Sequence, residues 1–339
     1  MPPFSPDENP GLAIAPFAFV DSTTEQVRDQ LQVLARSTAI HVDEGKSRLF
    51  LCGTNLDHHF ADPSLYQFAG TLPVPVREDQ FAGFYTHLPC YDLCLEDSWT
   101  GYFLSSCLQQ SLSQEPIVLI HLDDHTDMMS TLLVQHLDGL YDPGSDRVFN
   151  PAQPNDWRLA INGGAIGIGS FVTALYYLEN PLHVIHLNHI NTTCDQRLWV
   201  NKSSVSQAFL PDIQFADIEK TERNSANALG TYMSGKVASN LLEDIPDGRV
   251  FVHIDLDYFI NDYNGNVGAI PPKSEVELRK DAELLIAAFF ESLSVSGRPI
   301  ERWMIAASPG FCSSKHWGWL LDRLQHEIRK MESGLSKYV

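Results

Sequence analysis

Residue types that bind metal ions are concentrated just after one apolar segment of this chain. Ile117 to Ile120 is an unbroken run of β-branched and aliphatic residues, which is typical of a strand buried on both faces of a sheet. Asp123, His125 and Asp127 follow it two residues apart, so in an extended segment they would point to one side. Because unpaired buried carboxylates are costly, the pattern predicts a metal site; the alternative is a polar loop with solvated acids.

A second segment repeats this design. Arg249 to Asp257 is another apolar strand, and it ends in Asp255 and Asp257, again two residues apart. Two such strands can be neighbours in a parallel sheet, where ligands sit at the carboxyl ends. Asp97 follows a short strand that begins near Tyr91; by itself it is interpreted as an ordinary helix N-cap, and only the motif resemblance described below makes it a candidate ligand.

The candidate ligands suggest both the number and the type of metal ion. They are Asp97, Asp123, His125, Asp127, Asp255 and Asp257. Five carboxylates need compensating charge, which two divalent cations would largely supply. Oxygen-rich ligation favours Mn²⁺ or Mg²⁺ over Zn²⁺. We therefore predict two Mn²⁺ ions, with Mg²⁺ as the less favoured choice.

Several elements must position these residues. Strands alternate with helices from about residue 91, which predicts an α/β fold with three α/β/α layers and a mostly parallel sheet. A helix at 24–36 and a hairpin from 39–42 and 48–52 predict a small N-terminal appendage. We place that appendage at residues 1–70 and the catalytic domain at residues 71–339.

Other segments have weaker patterns. We predict helices at 128–140, carrying His136, and at 226–242, and a strand at 183–189 whose histidines have core roles. The adjacent His58 and His59 could bind metal, but paired histidines in a polar loop more often lie on a surface. We interpret them as surface residues.

Composition limits the partners. The chain has 339 residues, 44% of them hydrophobic, and a net charge of −20, which argues against nucleic acid and suits divalent cations or arginine-bearing peptides. The six cysteines form no CxxC pair, which is typical of reduced thiols. No basic leader and no apolar run of membrane length is evident. We predict a cytoplasmic protein with no membrane association and leave the oligomeric state open.

These motifs resemble those of the ureohydrolases, within the arginase and deacetylase superfamily. The run from Asp123 to Asp127 is similar to their Asp-x-His-x-Asp motif, and the run from His253 to Asp257 resembles their Ser-x-Asp-x-Asp motif, with His in place of Ser. His121 and the Ser308 to Phe311 element are closer to the branch that contains the peptide arginases. The resemblance covers roughly residues 91–325.

The resemblance implies a Mn-dependent hydrolase that converts arginine in a ribosomal peptide to ornithine and urea. Asp123 and one of the later pair would bridge two ions, and Asp127 would orient the water that the ions activate. His136 is a candidate general acid for the leaving amine, the alternative being a helix-surface histidine. Asp97 stands where the branch has histidine. The arginase glutamate after the last strand is absent at Ser308, which moves guanidinium binding to Glu96 or Asp262.

Two other functions fit the same residues. A single-metal amidohydrolase of the deacetylase kind would use an Asp-x-His pair and one later aspartate, leaving Asp127 and Asp257 unexplained. A non-catalytic binding protein that keeps the fold would explain the departure at Asp97. The number of bound metal ions distinguishes these alternatives.

Overall fold

The protein has an α/β fold built on one large mixed sheet. The computed structural model describes residues 11–19, 22–34, 36–110, 113–189, 197–236, 240–243 and 245–335. Within these ranges, twelve strands form the large sheet and three form a small N-terminal sheet. No helix in these ranges combines the length and the apolar character needed to cross a bilayer.

The elements follow one another in chain order. The strands are β1 (Leu12–Ala13), β2 (Thr38–Asp43), β3 (Arg48–Thr54), β4 (Tyr85–His87), β5 (Asp92–Cys94), β6 (Ile117–Leu122), β7 (Val134–His136), β8 (Gly139–Asp142), β9 (Arg147–Phe149), β10 (Leu182–Leu187), β11 (Leu198–Gln207), β12 (Leu210–Thr221), β13 (Gly230–Gly235), β14 (Arg249–Asp255) and β15 (Ile300–Ala306). The helices are α1 (Thr24–Leu34), α2 (Leu65–Phe68), α3 (Trp99–Gln109), α4 (Pro154–Gly163), α5 (Phe171–Leu175), α6 (Glu275–Ser296) and α7 (Trp317–Leu335). Short 3-10 helices lie at Pro16–Phe19, Asp57–Ala61, Ala69–Thr71, Glu78–Gly83, Asn240–Leu242, Leu256–Tyr258 and Ser314–His316.

The centre of the large sheet is parallel and its two sides are antiparallel. The order is β4-β5-β15-β14-β6-β10-β13-β11-β12-β7-β8-β9, and the six strands from β5 to β13 are parallel. In the described chain, five pairings are parallel and six are antiparallel. The prediction of a mostly parallel three-layer sheet is therefore not confirmed. Short connections such as β11 to β12 can join only antiparallel strands, because a parallel pair needs a long crossover.

Strand β6 lies at the centre of the sheet and is buried on both faces. Ile117 and Leu119 belong to an apolar cluster with helices α3, α4 and α5, whereas Val118 and Ile120 belong to a second cluster with α6 and α7. This two-sided burial explains why the strand reads as a continuous apolar run. Because both faces of β6 are packed, its carboxyl end has a fixed position next to the neighbouring strands. The acids that follow β6 start from that position.

The N-terminal helix and hairpin are present as α1, β2 and β3, and they pack against the rest of the chain. Thr38 donates a hydrogen bond from Oγ1 to the carbonyl of Gly164 over 2.6 Å, next to α4. Val27 and Leu31 of α1 belong to the same apolar cluster as α4. The proposed boundary between residues 70 and 71 stays a prediction.

Two predicted helices are strands instead. The 128–140 segment contains β7, which turns back into β8 at Gly139, a residue with φ +135°. The 226–242 segment contains β13, and residues 237–239 lie outside the described chain. At Gly230 a Cβ would lie 1.8 Å from the carbonyl oxygen of Leu182, so close pairing with β10 requires glycine there. Helical spacing of apolar residues was thus overridden by sheet pairing.

Candidate metal centre

The predicted ligands lie at the carboxyl ends of neighbouring strands. Strands β5, β15, β14 and β6 are adjacent in that order and parallel, so their carboxyl ends meet at one edge of the sheet. Asp97 follows β5, Asp123 follows β6, and Asp255 ends β14. The sheet therefore brings together acids that are more than 130 residues apart, as the difference between positions 123 and 255 shows.

The segment after β6 converges on the site through a turn and not through an extended strand. The strand ends at Leu122, and the backbone N–H of His125 donates to Asp123 Oδ1 over 2.6 Å. Asp127 has φ +50°, in the left-handed region that non-glycine residues rarely adopt. Its carbonyl accepts a hydrogen bond from the N–H of Val172, which holds this conformation in place. The expected alternation of an extended segment is wrong, although the three side chains still converge.

Two groups of ligand atoms share one aspartate. Asp97, Asp123 and Asp127 offer oxygens that all lie within 4.8 Å of one another, and so do the ligand atoms of Asp123, His125 and Asp257. Within the second group, His125 Nδ1 is 3.0 Å from Asp257 Oδ2 and 3.4 Å from Asp123 Oδ1.

The remaining predicted ligand, Asp255, is adjacent to both groups. Its Oδ1 accepts a hydrogen bond from the N–H of Asp257 over 3.0 Å, and its side chain reaches the wall of the neighbouring cavity. The structure therefore brings five of the six predicted ligands into the two groups and places Asp255 beside them.

The carboxylates of this site are buried and mutually repulsive. Burial, followed by the charge of Glu96, raises the pKa of Asp97 to about 7. Burial and neighbouring carboxylates raise the pKa values of Asp123, Asp127 and Asp255 well above their usual range. Without a cation, burial and repulsion therefore favour protonated carboxyl groups, and a bound cation would compensate the charge of the ionised groups.

Unsatisfied oxygen atoms test whether a cation fits. Among the described residues, no hydrogen-bond partner is found for the buried atoms Asp97 Oδ1, Asp123 Oδ2 and Asp127 Oδ2. Native proteins leave few buried polar atoms unpaired, so three within one cluster point to a missing partner. The buried Asp and His groups could hold a metal ion, whose positive charge would compensate the unpaired oxygens.

Three buried histidines lie beneath the carboxylates. His121 Nε2 is 3.4 Å from Asp127 Oδ2, and His121 with Asp123 and His253 forms a further group of potential ligand atoms. His186 donates from Nε2 to the carbonyl of Asp123 over 3.0 Å and contacts the hydroxyl of Tyr232 at 2.7 Å through Nδ1. The core role predicted for His186 is confirmed.

A cavity of about 860 Å³ opens above this cluster. Asp97, Asp127 and Asp255 are part of its wall, and so are His125 and Asp124. In an extended segment, the side chain of Asp124 would point away from those of Asp123 and His125. It reaches the cavity because the segment turns, and its Oδ1 has no hydrogen-bond partner in the described part of the chain.

His58 and His59 are buried at this site, so their interpretation as surface residues is wrong. The side chain of His58 is 13% exposed and that of His59 is 4% exposed. Both approach Glu96, whose pKa is held below its usual value by the two imidazoles even though burial alone would raise it. The paired histidines were the available signal in the sequence, but only tertiary packing shows that they meet Glu96.

Two other predicted site residues lie away from the cavity. His136 is on β7, where it is exposed and packs edge-on against Tyr141, because the expected helix is a hairpin. Asp262 is buried beside His316, with Oδ2 3.1 Å from His316 Nε2, and it does not contribute to the cavity wall. Glu96, the other acid expected to bind a guanidinium group, does contribute to that wall.

No family model matches this chain, and no curated protein matches it either.

Proposed function

We propose that this chain is a binuclear-metal hydrolase that converts arginine side chains of a peptide to ornithine and releases urea. The observation that carries the proposal is that Asp123 belongs to both ligand groups, one with Asp97 and Asp127 and the other with His125 and Asp257. A carboxylate shared between two adjacent ligand groups is the arrangement needed to bridge two metal ions. The motif resemblance to ureohydrolases supports the same reaction.

The residues that would hold the ions follow from these groups. Asp97, Asp123 and Asp127 would bind one ion, and Asp123, His125 and Asp257 the other, with Asp255 beside both. The donors are oxygen except for one imidazole, which supports Mn²⁺, with Mg²⁺ as the weaker choice. Such ions, when bound, would supply a water molecule activated near neutral pH.

Asp124 is the acid best placed to bind the guanidinium group. Asp124 lines the cavity; its Oδ2 accepts a hydrogen bond from Asn261 over 3.3 Å, and its buried Oδ1 has no hydrogen-bond partner among the described residues. Glu96 is less suited, because its side chain is only 1% exposed and its Oε1 already contacts His58 and His59. Asp262 lies outside the cavity wall. A carboxylate at the cavity would orient the cationic substrate and exclude uncharged competitors.

The size of the cavity supports a peptide as the substrate. At about 860 Å³ it lies near the upper end of the range of roughly 300–1,000 Å³ for drug-sized ligands, so residues flanking an arginine would fit. The net charge of −20 would attract a cationic peptide. We also propose a cytoplasmic location, which is supported by free thiols at the five described cysteines; Cys194 lies outside the described residues.

Mass spectrometry of arginine-containing peptides tests this proposal. Metal-free protein is reconstituted with Mn²⁺ and incubated with a set of peptides, free arginine and an acetyl-lysine peptide. The expected result is a peptide whose mass has decreased because hydrogen replaces the amidino group of one arginine. One molecule of urea should be released for each arginine converted. Asp123→Asn should be inactive, whereas Asp138→Asn, an exposed acid on the turn after β7, should be fully active.

Each alternative gives a different outcome in the same assay. Consumption of free arginine with unchanged peptides would reject the peptide as substrate. Deacetylation with one bound ion would support the single-metal amidohydrolase. No turnover of any substrate, with less than one ion per chain, would support a non-catalytic binding protein.

A further inference from the structure

A second cluster of ligand-type side chains lies beside the acidic one and is not used by the proposed reaction. It consists of His58, His59 and Glu96, whose ligand atoms lie within 4.8 Å of one another. His59 Nε2 is 2.5 Å from Glu96 Oε1, and His58 Nε2 is 3.4 Å from the same oxygen. Two imidazole nitrogens therefore converge on one carboxylate.

Glu96 is left incompletely satisfied by these contacts. Its side chain is 1% exposed, and Oε2 has no hydrogen-bond partner among the described residues. A buried carboxylate oxygen without a partner is rare in native proteins, because no hydrogen bond offsets the free-energy cost of its desolvation. The orphan oxygen is thus an independent observation that points to a ligand at this cluster.

The rest of the fold holds His58 in position. A Cβ added at Gly310, which has φ +81°, would lie 2.0 Å from the carbonyl oxygen of His58, so the two backbones are in close contact. The ring of Phe311 packs against the ring of His58 with centroids 5.7 Å apart. Packing of this kind fixes ligands before a metal binds, which lowers the entropic cost of binding.

We propose that His58, His59 and Glu96 form a separate, nitrogen-rich metal position that takes Zn²⁺ or a similar transition ion. Two imidazoles and one glutamate are a donor set that zinc accepts, with its remaining position open to water. The acidic cluster next to it is oxygen-rich and suits Mn²⁺, so the two positions differ in metal preference. His58 and Glu96 both lie at the cavity wall, which gives an ion a path of entry. This proposal does not depend on the proposed function.

Cobalt and zinc binding test the proposal without any activity assay. Metal-free Asp123→Asn, which lacks the shared ligand of the acidic cluster, is titrated with Co²⁺ and followed by visible absorption. One Co²⁺ ion with nitrogen ligands should bind. Adding His58→Gln or His59→Gln to this background should weaken binding at least about tenfold. Adding His136→Gln, which changes an exposed histidine, should leave binding unchanged.

Crystallography provides a second readout on the wild-type chain. Crystals grown with excess Mn²⁺ and one equivalent of Zn²⁺ should show anomalous scattering at the zinc edge between His58, His59 and Glu96. His59 is more deeply buried than His58, so the His59→Gln variant has the greater risk of misfolding, which circular dichroism would detect. In that case the Co²⁺ affinity of His58→Gln alone tests whether the cluster binds metal. Unchanged Co²⁺ affinity in His58→Gln, or no zinc signal at the cluster, would show a hydrogen-bonded network only and overturn the proposal.

Discussion

His121 and His253 face each other across two adjacent parallel strands, with their Nδ1 atoms 2.9 Å apart. Both rings are fully buried, and burial lowers the pKa of His253 to about 3 and that of His121 well below its usual value. Both are therefore neutral, so one Nδ1 donates and the other accepts. Which Nδ1 donates depends on the tautomers of the two rings.

This pairing predicts the cost of replacing His253. His253→Asn keeps a polar side chain that can donate or accept near the position of Nδ1, whereas His253→Leu leaves Nδ1 of His121 buried and unpaired. The leucine variant should lose about 1–3 kcal/mol in the free energy of unfolding and the asparagine variant clearly less. Urea denaturation of the metal-free proteins measures both. Equal stability of the leucine variant and the wild type would contradict a stabilising role of this pairing.

The buried acids predict how metal-free stability depends on pH. The raised pKa values of Asp97, Asp123, Asp127 and Asp255 mean that the folded chain keeps protons that the unfolded chain has released by about pH 5. Buried histidines with lowered pKa values act in the opposite direction, but only below about pH 6.5. Above that value the free energy of unfolding should therefore fall as pH rises.

Denaturation with urea in the presence of a chelator, from about pH 6.5 to about pH 9, measures this slope. Mn²⁺ should flatten it, because the ion replaces the protons. Asp97→Asn removes one titrating group and should also reduce the slope. A metal-free protein whose stability is constant or rises in this range would contradict the prediction.

Asp123 should be essential for both metal ions because it belongs to both ligand groups. Elemental analysis should find two Mn²⁺ per wild-type chain and less than one in Asp123→Asn. Asp127→Asn, which changes only one group, should keep about one ion under the same conditions, since the other group stays intact. Equal losses from the two variants would reject a shared ligand.

Asp124 and Asp262 should differ in their effects on substrate binding. Asp124 reaches the cavity and Asp262 does not. Asp124→Asn should raise KM for an arginine peptide about tenfold or more with a smaller change in kcat, since a hydrogen bond to a charged group contributes about 1.5–3 kcal/mol. Asp262→Asn should lower the thermal midpoint by disturbing the pair with His316 and leave KM unchanged. Steady-state kinetics that show the reverse pattern would move guanidinium binding back to Asp262.

Gly310 and Gly268 form a matched pair for testing the contact with His58. Both have φ +81°, but a Cβ at Gly268 would meet no heavy atom within 4 Å, whereas at Gly310 it would collide with the His58 carbonyl. Gly268→Ala should lose about 1–2 kcal/mol from the backbone conformation alone. Gly310→Ala should lose more and should also weaken Co²⁺ binding by the His58 cluster. Equal effects of the two substitutions on stability and Co²⁺ binding would show that the contact is unimportant.

Some of this protein follows from local sequence. The apolar run at β6 predicts a fully buried strand, and the strand is buried because both of its faces are covered. Asp123, His125, Asp127, Asp255 and Asp257 were identifiable because buried acids directly after apolar strands are unfavourable without a cation. These signals lie within a few residues of the feature they predict.

Tertiary structure decided the rest, because it depends on contacts between distant segments. The strands β7 and β13 form by pairing in the sheet, which overrides a helical pattern and moves His136 away from the site. His58 and His59 reach Glu96 through packing across 37 residues that no local pattern records. Asp127 adopts a left-handed conformation that a period-two pattern cannot anticipate, since its carbonyl accepts a hydrogen bond from the distant Val172.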